Sequence, residues 1–177
     1  MTQDIKLTKA EERELNVAMA DILGAIGDLG SIEHLSRHED ANKGQYIKYA
    51  EAAEVKLTNA LKWADQIRKL STELEERLIA QRGGKGVIAK EERWAIGVSK
   101  SLERGLSANR RRVLELLKLI KDSPLKKSVS FFGKNDFKKI NALADRIRHN
   151  LTVISTFVRK LKELELHIEK LERASFY

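Results

Sequence analysis

The stretch from Asn135 to Ala174 reads NDFKKINALADRIRHNLTVISTFVRKLKELELHIEKLERA and repeats an apolar pattern every seven residues. Apolar residues at the first and fourth positions of such a repeat form the seam of a helix that packs against other helices. We therefore predict one helix over 135–174, about 58 Å long at ~1.5 Å per residue, around which an all-α chain is organised. The first positions are Ile140, Ile147, Ile154, Leu161 and Ile168, and the fourth are Leu143, Asn150, Phe157, Leu164 and Leu171.

The width of this seam changes along the helix. In the first three repeats the fifth position is also apolar, whereas Glu165 and Glu172 hold that position later. A wide stripe is typical of a helix between two neighbours, and a narrow one is typical of a coiled coil. We expect the front of the helix to lie inside a bundle, and the end to form a coiled-coil-like extension that contacts another chain, unless the bundle simply tapers there. The interface residues of this extension would be Leu161, Leu164, Ile168 and Leu171.

Three further apolar stripes predict helices at about 8–38, 45–82 and 89–122. Alanine holds four of the nine core positions of the second helix, which lets a neighbouring helix approach closely. With the helix at 135–174, these elements predict an up-down-up-down antiparallel four-helix bundle in a single domain, 1–177. The expected core positions are Leu15, Ala18, Ile22, Ala25, Leu29 and Ile32; Ala50, Ala53, Leu57, Ala60, Ala64, Ile67, Ser71, Leu74 and Leu78; and Val98, Leu102, Leu106, Asn109, Val113, Leu116 and Ile120.

Composition argues against several classes of function. With no cysteine among 177 residues, the chain has no disulfide framework and no thiolate nucleophile or metal ligand. No run approaches the roughly 18 uncharged apolar residues expected of a membrane span. The start of the chain, Met1 to Lys9, lacks the basic-then-apolar pattern of a signal peptide. A cytoplasmic protein is therefore expected.

The net charge of +8 is divided unevenly between the two halves of the chain. Residues 1–81 hold 11 Lys and Arg against 15 Asp and Glu, whereas residues 82–177 hold 23 against 11. A chain with an acidic and a basic half can attract a polyanion to its basic side, or associate head to tail with a second copy.

Cations of the third predicted helix cluster on the side opposite its core stripe. At about 100° per residue, five of them fall within about 40° of one another, and Arg110 widens the row. A row of nearly one sign favours an anion-binding face, although a charged outer face is also the ordinary state of a helix. The predicted nucleic-acid-binding residues on this helix are Arg93, Lys100, Arg104, Arg110, Arg111 and Lys118.

The connection between the last two predicted helices places aromatic rings among lysines. Aromatic rings in a basic segment can stack on unpaired bases or enter a lipid headgroup region. Alternatively, the two phenylalanines fold back and close the end of the bundle. The residues that extend the predicted nucleic-acid site into this connection are Lys126, Lys127, Phe131, Phe132 and Lys134.

The first predicted helix carries small residues where charge is expected, at Ala20, Gly24, Gly27 and Ser31. An exposed glycine inside a helix costs about 1 kcal/mol relative to alanine. Close approach of another helix would explain such a face, so these four residues are a predicted protein interface. Glycines that are merely tolerated, or that kink the helix, are the alternative.

No catalytic or metal site is predicted. His34 and His38 have i, i+4 spacing, but the Glu of the zinc-protease helix motif is missing, and imidazoles at a helix end also suit its dipole. Asn109 and Asn150 occupy core positions, where a mutual hydrogen bond would set the register of two helices. Nowhere do a nucleophile, a base and a partner converge in the pattern.

These patterns single out no protein family, so function is inferred from surface chemistry. The leading hypothesis is a non-enzymatic interaction protein, without cofactor, metal or small-molecule substrate, that binds a polyanion. Nucleic acid is the favoured polyanion, held through its phosphates without sequence readout. The alternatives are a scaffold or assembly subunit acting through helix contacts, including self-association, and a peripheral membrane protein that inserts Phe131 and Phe132.

Overall fold

The computed structural model describes residues 9–35, 43–81, 90–123 and 134–174. Within these ranges every residue is helical except Lys62, Trp63, Ser101 and Ser123, and no strand occurs. The predicted all-α class is therefore confirmed. The helices are α1 (Lys9–Leu35), α2 (Lys43–Leu61), α3 (Ala64–Gln81), α4 (Lys90–Lys100), α5 (Leu102–Asp122) and α6 (Lys134–Ala174).

The helix predicted at 45–82 is divided into α2 and α3 by a turn at Lys62 and Trp63. The amides of these two residues donate to carbonyls three residues earlier, at 3.2 and 3.1 Å, which tightens the chain locally. The α-helical pattern resumes where the Ile67 amide donates to the Trp63 carbonyl at 3.0 Å. The turn separates α2, which packs on α1 and α5, from α3, which packs on α4 and α6.

The helix predicted at 89–122 is divided into α4 and α5 at Ser101. The Ser101 hydroxyl donates to the Gly97 carbonyl at 2.5 Å, and the Ser101 amide donates to the same oxygen at 3.1 Å. A hydroxyl that competes for a helix carbonyl in this way often bends the helix. The buried stripe shifts accordingly: Ile96 and Ser99 are buried, whereas Val98, predicted to be in the core, is only half-buried.

The other core predictions for α1, α2, α3 and α5 agree with the structure, since every one of those positions is buried. In α6 the deepest stripe differs from the predicted seam. The fourth-position residues Leu143, Asn150 and Phe157 are only half-buried. The cause is that α6 packs on α1, α3, α4 and α5, so its buried stripe runs mainly along the first and fifth positions of the repeat. The first-position residue Ile154 is also only half-buried. The buried α6 residues are Ile140, Ala144, Ile147, Leu151, Ser155, Val158 and Leu161.

Asn109 and Asn150 meet between α5 and α6, which is the condition under which the sequence allowed a hydrogen bond between them. The Asn150 side-chain amide donates to the Asn109 side-chain oxygen at 3.4 Å, and Arg112 donates to that oxygen at 3.2 Å. The Asn109 amide donates in turn to the Gly105 carbonyl at 2.8 Å. Nearby, a methyl group added to Gly105 would lie 3.3 Å from Cδ1 of Ile154, so α5 and α6 approach closely and run antiparallel here.

Ion pairs join the acidic half of the chain to its basic half. Because the two halves meet along the seam between α2–α3 and α4–α5, and again between α1 and α6, part of the charge asymmetry is neutralised within the molecule. Partly exposed pairs of this kind each contribute about 0–1 kcal/mol. The pairs are Glu54–Arg110 at 2.9 Å, Glu75–Lys100 at 2.6 Å, Glu51–Lys121 at 3.9 Å and Glu33–Arg148 at 3.1 Å.

One described segment, Leu15–Leu35 in α1, is long and apolar enough to cross a membrane, with mean hydropathy 1.3. The expectation from the sequence, that no run is long and apolar enough for a membrane span, is therefore wrong by this criterion. The core helix of a soluble protein passes the same test, and 33% of this window is buried within the chain. Its Asp28 is ion-paired with Lys56 of α2 at 2.6 Å. Length and hydropathy therefore do not decide where α1 resides.

Candidate nucleic-acid interface

The candidate anion-binding surface is the outer side of α5, opposite its buried stripe. Arg104, Arg111 and Lys118 are exposed and repeat every seven residues, which places them in one row on the helix. At ~1.5 Å per residue the row is about 21 Å long. None of the three forms an ion pair or a side-chain hydrogen bond with another described residue. We call these residues, with Ser107 and Leu114 between them, the basic face.

Two cations predicted for this face form ion pairs with carboxylates of neighbouring helices. Lys100 is held by Glu75 of α3 at 2.6 Å, and Arg110 is held by Glu54 of α2 at 2.9 Å. Both side chains are only partly exposed. Charges on Lys100 and Arg110 are therefore largely offset within the chain, because each cation has a carboxylate in direct contact. Arg93 on α4 remains exposed.

Carboxylates flank the basic face without neutralising it. Glu103 and Glu115 are both exposed on α5, and Glu115 follows Arg111 by four residues. The sequence allowed an i, i+4 pair between them. Within the described part of the chain, neither carboxylate comes within ion-pair distance of Arg104, Arg111 or Lys118. The cations therefore remain available to an external anion.

A shallow groove of about 560 Å³ lies along the first half of the basic face, beside the bend at Ser101. It has the volume of a small-ligand site, but its lining is polar and charged, whereas drug-sized ligands usually occupy apolar pockets. Two unpaired cations, Arg104 and Arg111, and the Ser107 hydroxyl against one carboxylate favour an anion. The lining residues are Lys100, Ser101, Glu103, Arg104, Ser107 and Arg111.

Ser107 and Leu114 belong to this surface, although neither was predicted from the sequence. Leu114 is 44% exposed and lies in the row between Arg111 and Lys118. Both residues follow from the same helical spacing that selected the cations, because positions three and four apart share a face. Charge alone does not indicate them, because one is a hydroxyl residue and the other is apolar.

The second part of the predicted nucleic-acid site lies outside the described residues. This applies to Lys126, Lys127, Phe131 and Phe132, and also to the side chain of Lys134, whose backbone begins α6. Of the predicted set, the structure therefore places only Arg104, Arg111 and Lys118 in one unpaired row, and Arg93 is exposed on α4.

The predicted small-residue interface on α1 is partly occupied by the chain itself. A methyl group on Gly24 would lie 3.0 Å from Cδ of Lys56, whose amine crosses this glycine to reach Asp28 at 2.6 Å. The Ser31 hydroxyl donates to the Gly27 carbonyl at 3.0 Å. Ala20 and Gly27 are exposed, and nothing lies within 4 Å of a methyl group placed on Gly27. Only part of this face is therefore open to another molecule.

A second glycine of α1 has a similar role on the opposite flank. A methyl group on Gly30 would lie 4.0 Å from Cδ of Arg148 on α6, whose guanidinium reaches Glu33 at 3.1 Å and Asp145 at 2.8 Å. The hydrogen bond from Arg148 holds the pKa of the Asp145 carboxyl below its ordinary value. Long cations from α2 and α6 thus pass over glycines to reach carboxylates on α1.

The predicted interface at the end of α6 begins with a buried residue. Leu161 is fully buried within the chain, so its side chain is not at the surface. The side chains of Leu164, Ile168 and Leu171 lie outside the described residues, although the backbone of α6 is helical to Ala174.

His34 lies in the last turn of α1 and is exposed, and His38 lies outside the described residues. Among the residues that the structure describes, no group of three or more His, Asp or Glu side chains is placed to hold a metal ion.

Comparison with protein-family models, with curated proteins and with solved structures finds no match to this chain. Function is therefore argued from the charge and geometry of the basic face.

Proposed function

We propose that this chain is a non-enzymatic interaction protein that binds nucleic acid through its phosphates, using the basic face of α5. The observation that carries the proposal is the row Arg104, Arg111 and Lys118, which stays exposed and unneutralised although neighbouring cations are paired with carboxylates. Phosphate contacts of this kind supply affinity and position, but no sequence information. Binding without sequence preference is therefore expected.

The strength of the salt dependence follows from the number of cations. A protein that contacts three phosphates of a duplex releases counterions with a slope of log K against log salt of about −2.7. Raising the salt fourfold would then weaken binding about 40-fold. A shallower slope would mean that fewer than three of these cations touch phosphate.

The test is fluorescence anisotropy of a labelled duplex and a labelled single strand at 50 and 200 mM salt. The variant Arg104→Glu, Arg111→Glu, Lys118→Glu should lose more than tenfold in affinity, because it replaces attraction with repulsion along the whole row. Circular dichroism should show that the variant keeps its helices, since all three side chains are exposed.

The matched control reverses three exposed lysines of the acidic half, Lys48, Lys62 and Lys69. Both variants change the net charge equally, so only the position of the change differs. Equal losses in the two variants would show that binding follows overall charge and not the basic face. Absence of binding to either probe at the lower salt concentration would refute the proposal.

A scaffold function is the second candidate, favoured by the uncharged outer side of α1. Ala20, Leu23 and Gly27 are exposed there, and Leu23 is 43% exposed. Self-association through this side would appear as a mass above 20.2 kDa in light scattering. Membrane binding through Phe131 and Phe132 is a third candidate, and anionic liposomes competing with the duplex would favour it.

We also propose that the helices form four rods, α1, α2–α3, α4–α5 and α6, in an up-down-up-down bundle within one domain. Supporting contacts are those of Lys43 at the start of α2 with the carbonyls of Lys121 and Ser123 at the end of α5, and of Asn109 with Asn150. A cytoplasmic location and a coiled-coil-like end of α6 remain parts of this proposal.

A further inference from the structure

The groove on the basic face is lined by three hydrogen-bond donors from α5, Arg104, Ser107 and Arg111. Ser107 lies three residues after Arg104 and four before Arg111, so the three side chains share one side of α5. The two arginines are exposed, Ser107 is half-buried, and all three line the groove of about 560 Å³. The arginine Cα atoms are about 10.5 Å apart along the helix. Two long side chains can therefore converge from either end on one anion above the hydroxyl.

The Ser107 hydroxyl differs from most other hydroxyls in these helices. Helical serines and threonines commonly donate to the carbonyl four residues earlier, and this chain follows that pattern at several positions. Ser107 makes no side-chain hydrogen bond within the described part of the chain. Its proton is therefore available to a ligand. The hydroxyls that donate to the carbonyl four residues earlier are those of Ser31, Thr58, Ser71, Thr72, Ser101, Thr152 and Thr156.

We infer that Arg104, Ser107 and Arg111 form one discrete phosphate-binding site within the basic face. Each guanidinium presents a planar fork that matches the two non-bridging oxygens of a backbone phosphate, and the Ser107 hydroxyl donates to one of the same oxygens. The inference rests on the proposed function, because the phosphate is taken to be a backbone phosphate of nucleic acid. Lys118 lies outside the groove and attracts neighbouring phosphates only as a point charge.

Glu103 lines the rim of the groove and is the one carboxylate among its lining residues. Its charge opposes an anion in the groove, so its removal should strengthen binding there. The variant Glu103→Gln is therefore expected to raise the affinity about threefold, which corresponds to a weak exposed charge interaction. This gain of binding cannot arise from a damaged fold.

The decisive variants keep the net charge unchanged. Arg104→Lys with Arg111→Lys retains both charges and removes both forks, and Ser107→Ala removes only the hydroxyl. In anisotropy of the labelled duplex at one fixed salt concentration, we expect about a tenfold loss for the first variant and about threefold for the second. The matched controls are Arg146→Lys with Arg159→Lys, two exposed arginines of α6 outside the groove, and Ser31→Ala, whose hydroxyl already donates to the Gly27 carbonyl.

The outcomes separate the inference from the proposed function. If the wild-type chain binds the duplex and the charge-conserving variants bind equally well, the discrete site is refuted while the proposed function stands. If the wild-type chain does not bind the duplex, both fail. Loss in the groove variants with unchanged controls supports the site. Stronger binding to phosphatidylserine vesicles than to the duplex, with the same variant pattern, would overturn the assignment to nucleic acid.

Discussion

Alanine substitutions at two glycines of α1 provide the sharpest test of how this helix is packed. Gly27 and Gly24 both lie in the interior of α1, one turn apart. Replacing glycine by alanine inside a helix stabilises it by about 1 kcal/mol when the new methyl group meets nothing. At Gly27 nothing lies within 4 Å of that methyl group. We therefore expect Gly27→Ala to raise the free energy of unfolding by about 1 kcal/mol.

The same change at Gly24 should not stabilise the protein as much. The added methyl group would lie 3.0 Å from Cδ and 3.2 Å from Cε of Lys56, so that side chain must move. Lys56 is ion-paired with Asp28 at 2.6 Å, and the Asp28 side chain is only 13% exposed. Losing this pair would offset the helix gain by up to about 1 kcal/mol. Gly24→Ala is therefore expected to be close to neutral.

Urea unfolding followed by circular dichroism measures both variants, and an unchanged m-value shows that the unfolded surface is comparable. For a chain of this size, a gain of 1 kcal/mol raises Tm by about 2–4 °C. In a Lys56→Ala background the Gly24→Ala change should recover its full gain. Equal stabilisation by the two single variants would refute the packing of Lys56 over Gly24. Destabilisation by Gly27→Ala, with a lower mass in solution, would show that a second copy covers this face.

Three further outcomes follow from buried and paired groups. Burial raises the pKa of Tyr46 to about 12, so the unfolded chain loses this proton at lower pH than the folded chain. The free energy of unfolding should therefore fall by at most about 1.4 kcal/mol per pH unit between about pH 10 and 12. Tyr46→Phe should reduce this pH dependence in a series of denaturation experiments. Asn109→Leu should lower the free energy of unfolding by about 1–2 kcal/mol, because it leaves the Asn150 amide and Arg112 without their shared acceptor. In urea unfolding, the double variant with Asn150→Leu should lose less than the sum of the two single variants. A double-mutant cycle on Glu54 and Arg110, paired at 2.9 Å, should give a coupling of about 0.5–1 kcal/mol that decreases with added salt; no coupling at low salt would contradict this pair.

The pairing of Lys100 and Arg110 shows why a charge count overestimates a binding surface. The sequence assigns both cations to the basic face, because helical spacing places them near Arg104 and Arg111. Their partners, Glu75 and Glu54, are 25 and 56 residues away in sequence. Residue spacing along one helix cannot indicate an ion pair between residues so far apart in sequence. Sequence reasoning therefore identified the helix and the sign of its surface, but not which cations remain free.

The glycines of α1 also show that spacing along one helix does not reveal which positions are covered by another helix. Small residues at Gly24 and Gly27 follow one spacing and look equivalent in the sequence. In the structure Lys56 fills the space above Gly24, whereas Gly27 is open. Only the position of α2 relative to α1 distinguishes them. An interface prediction from spacing alone could not assign different roles to these two residues.

The apolar periodicity determined the all-α class and nearly every buried position of α1, α2, α3 and α5, because burying one stripe of a helix depends mainly on local spacing. It also placed Asn109 and Asn150 on the sides of α5 and α6 that face each other, where their side chains form a hydrogen bond. Tertiary structure decided which side of α6 is deepest and which cations are paired or exposed. These features depend on contacts between residues far apart in sequence. The interaction energy of such a side chain is determined by its nearest partner in space and not by its spacing along one helix.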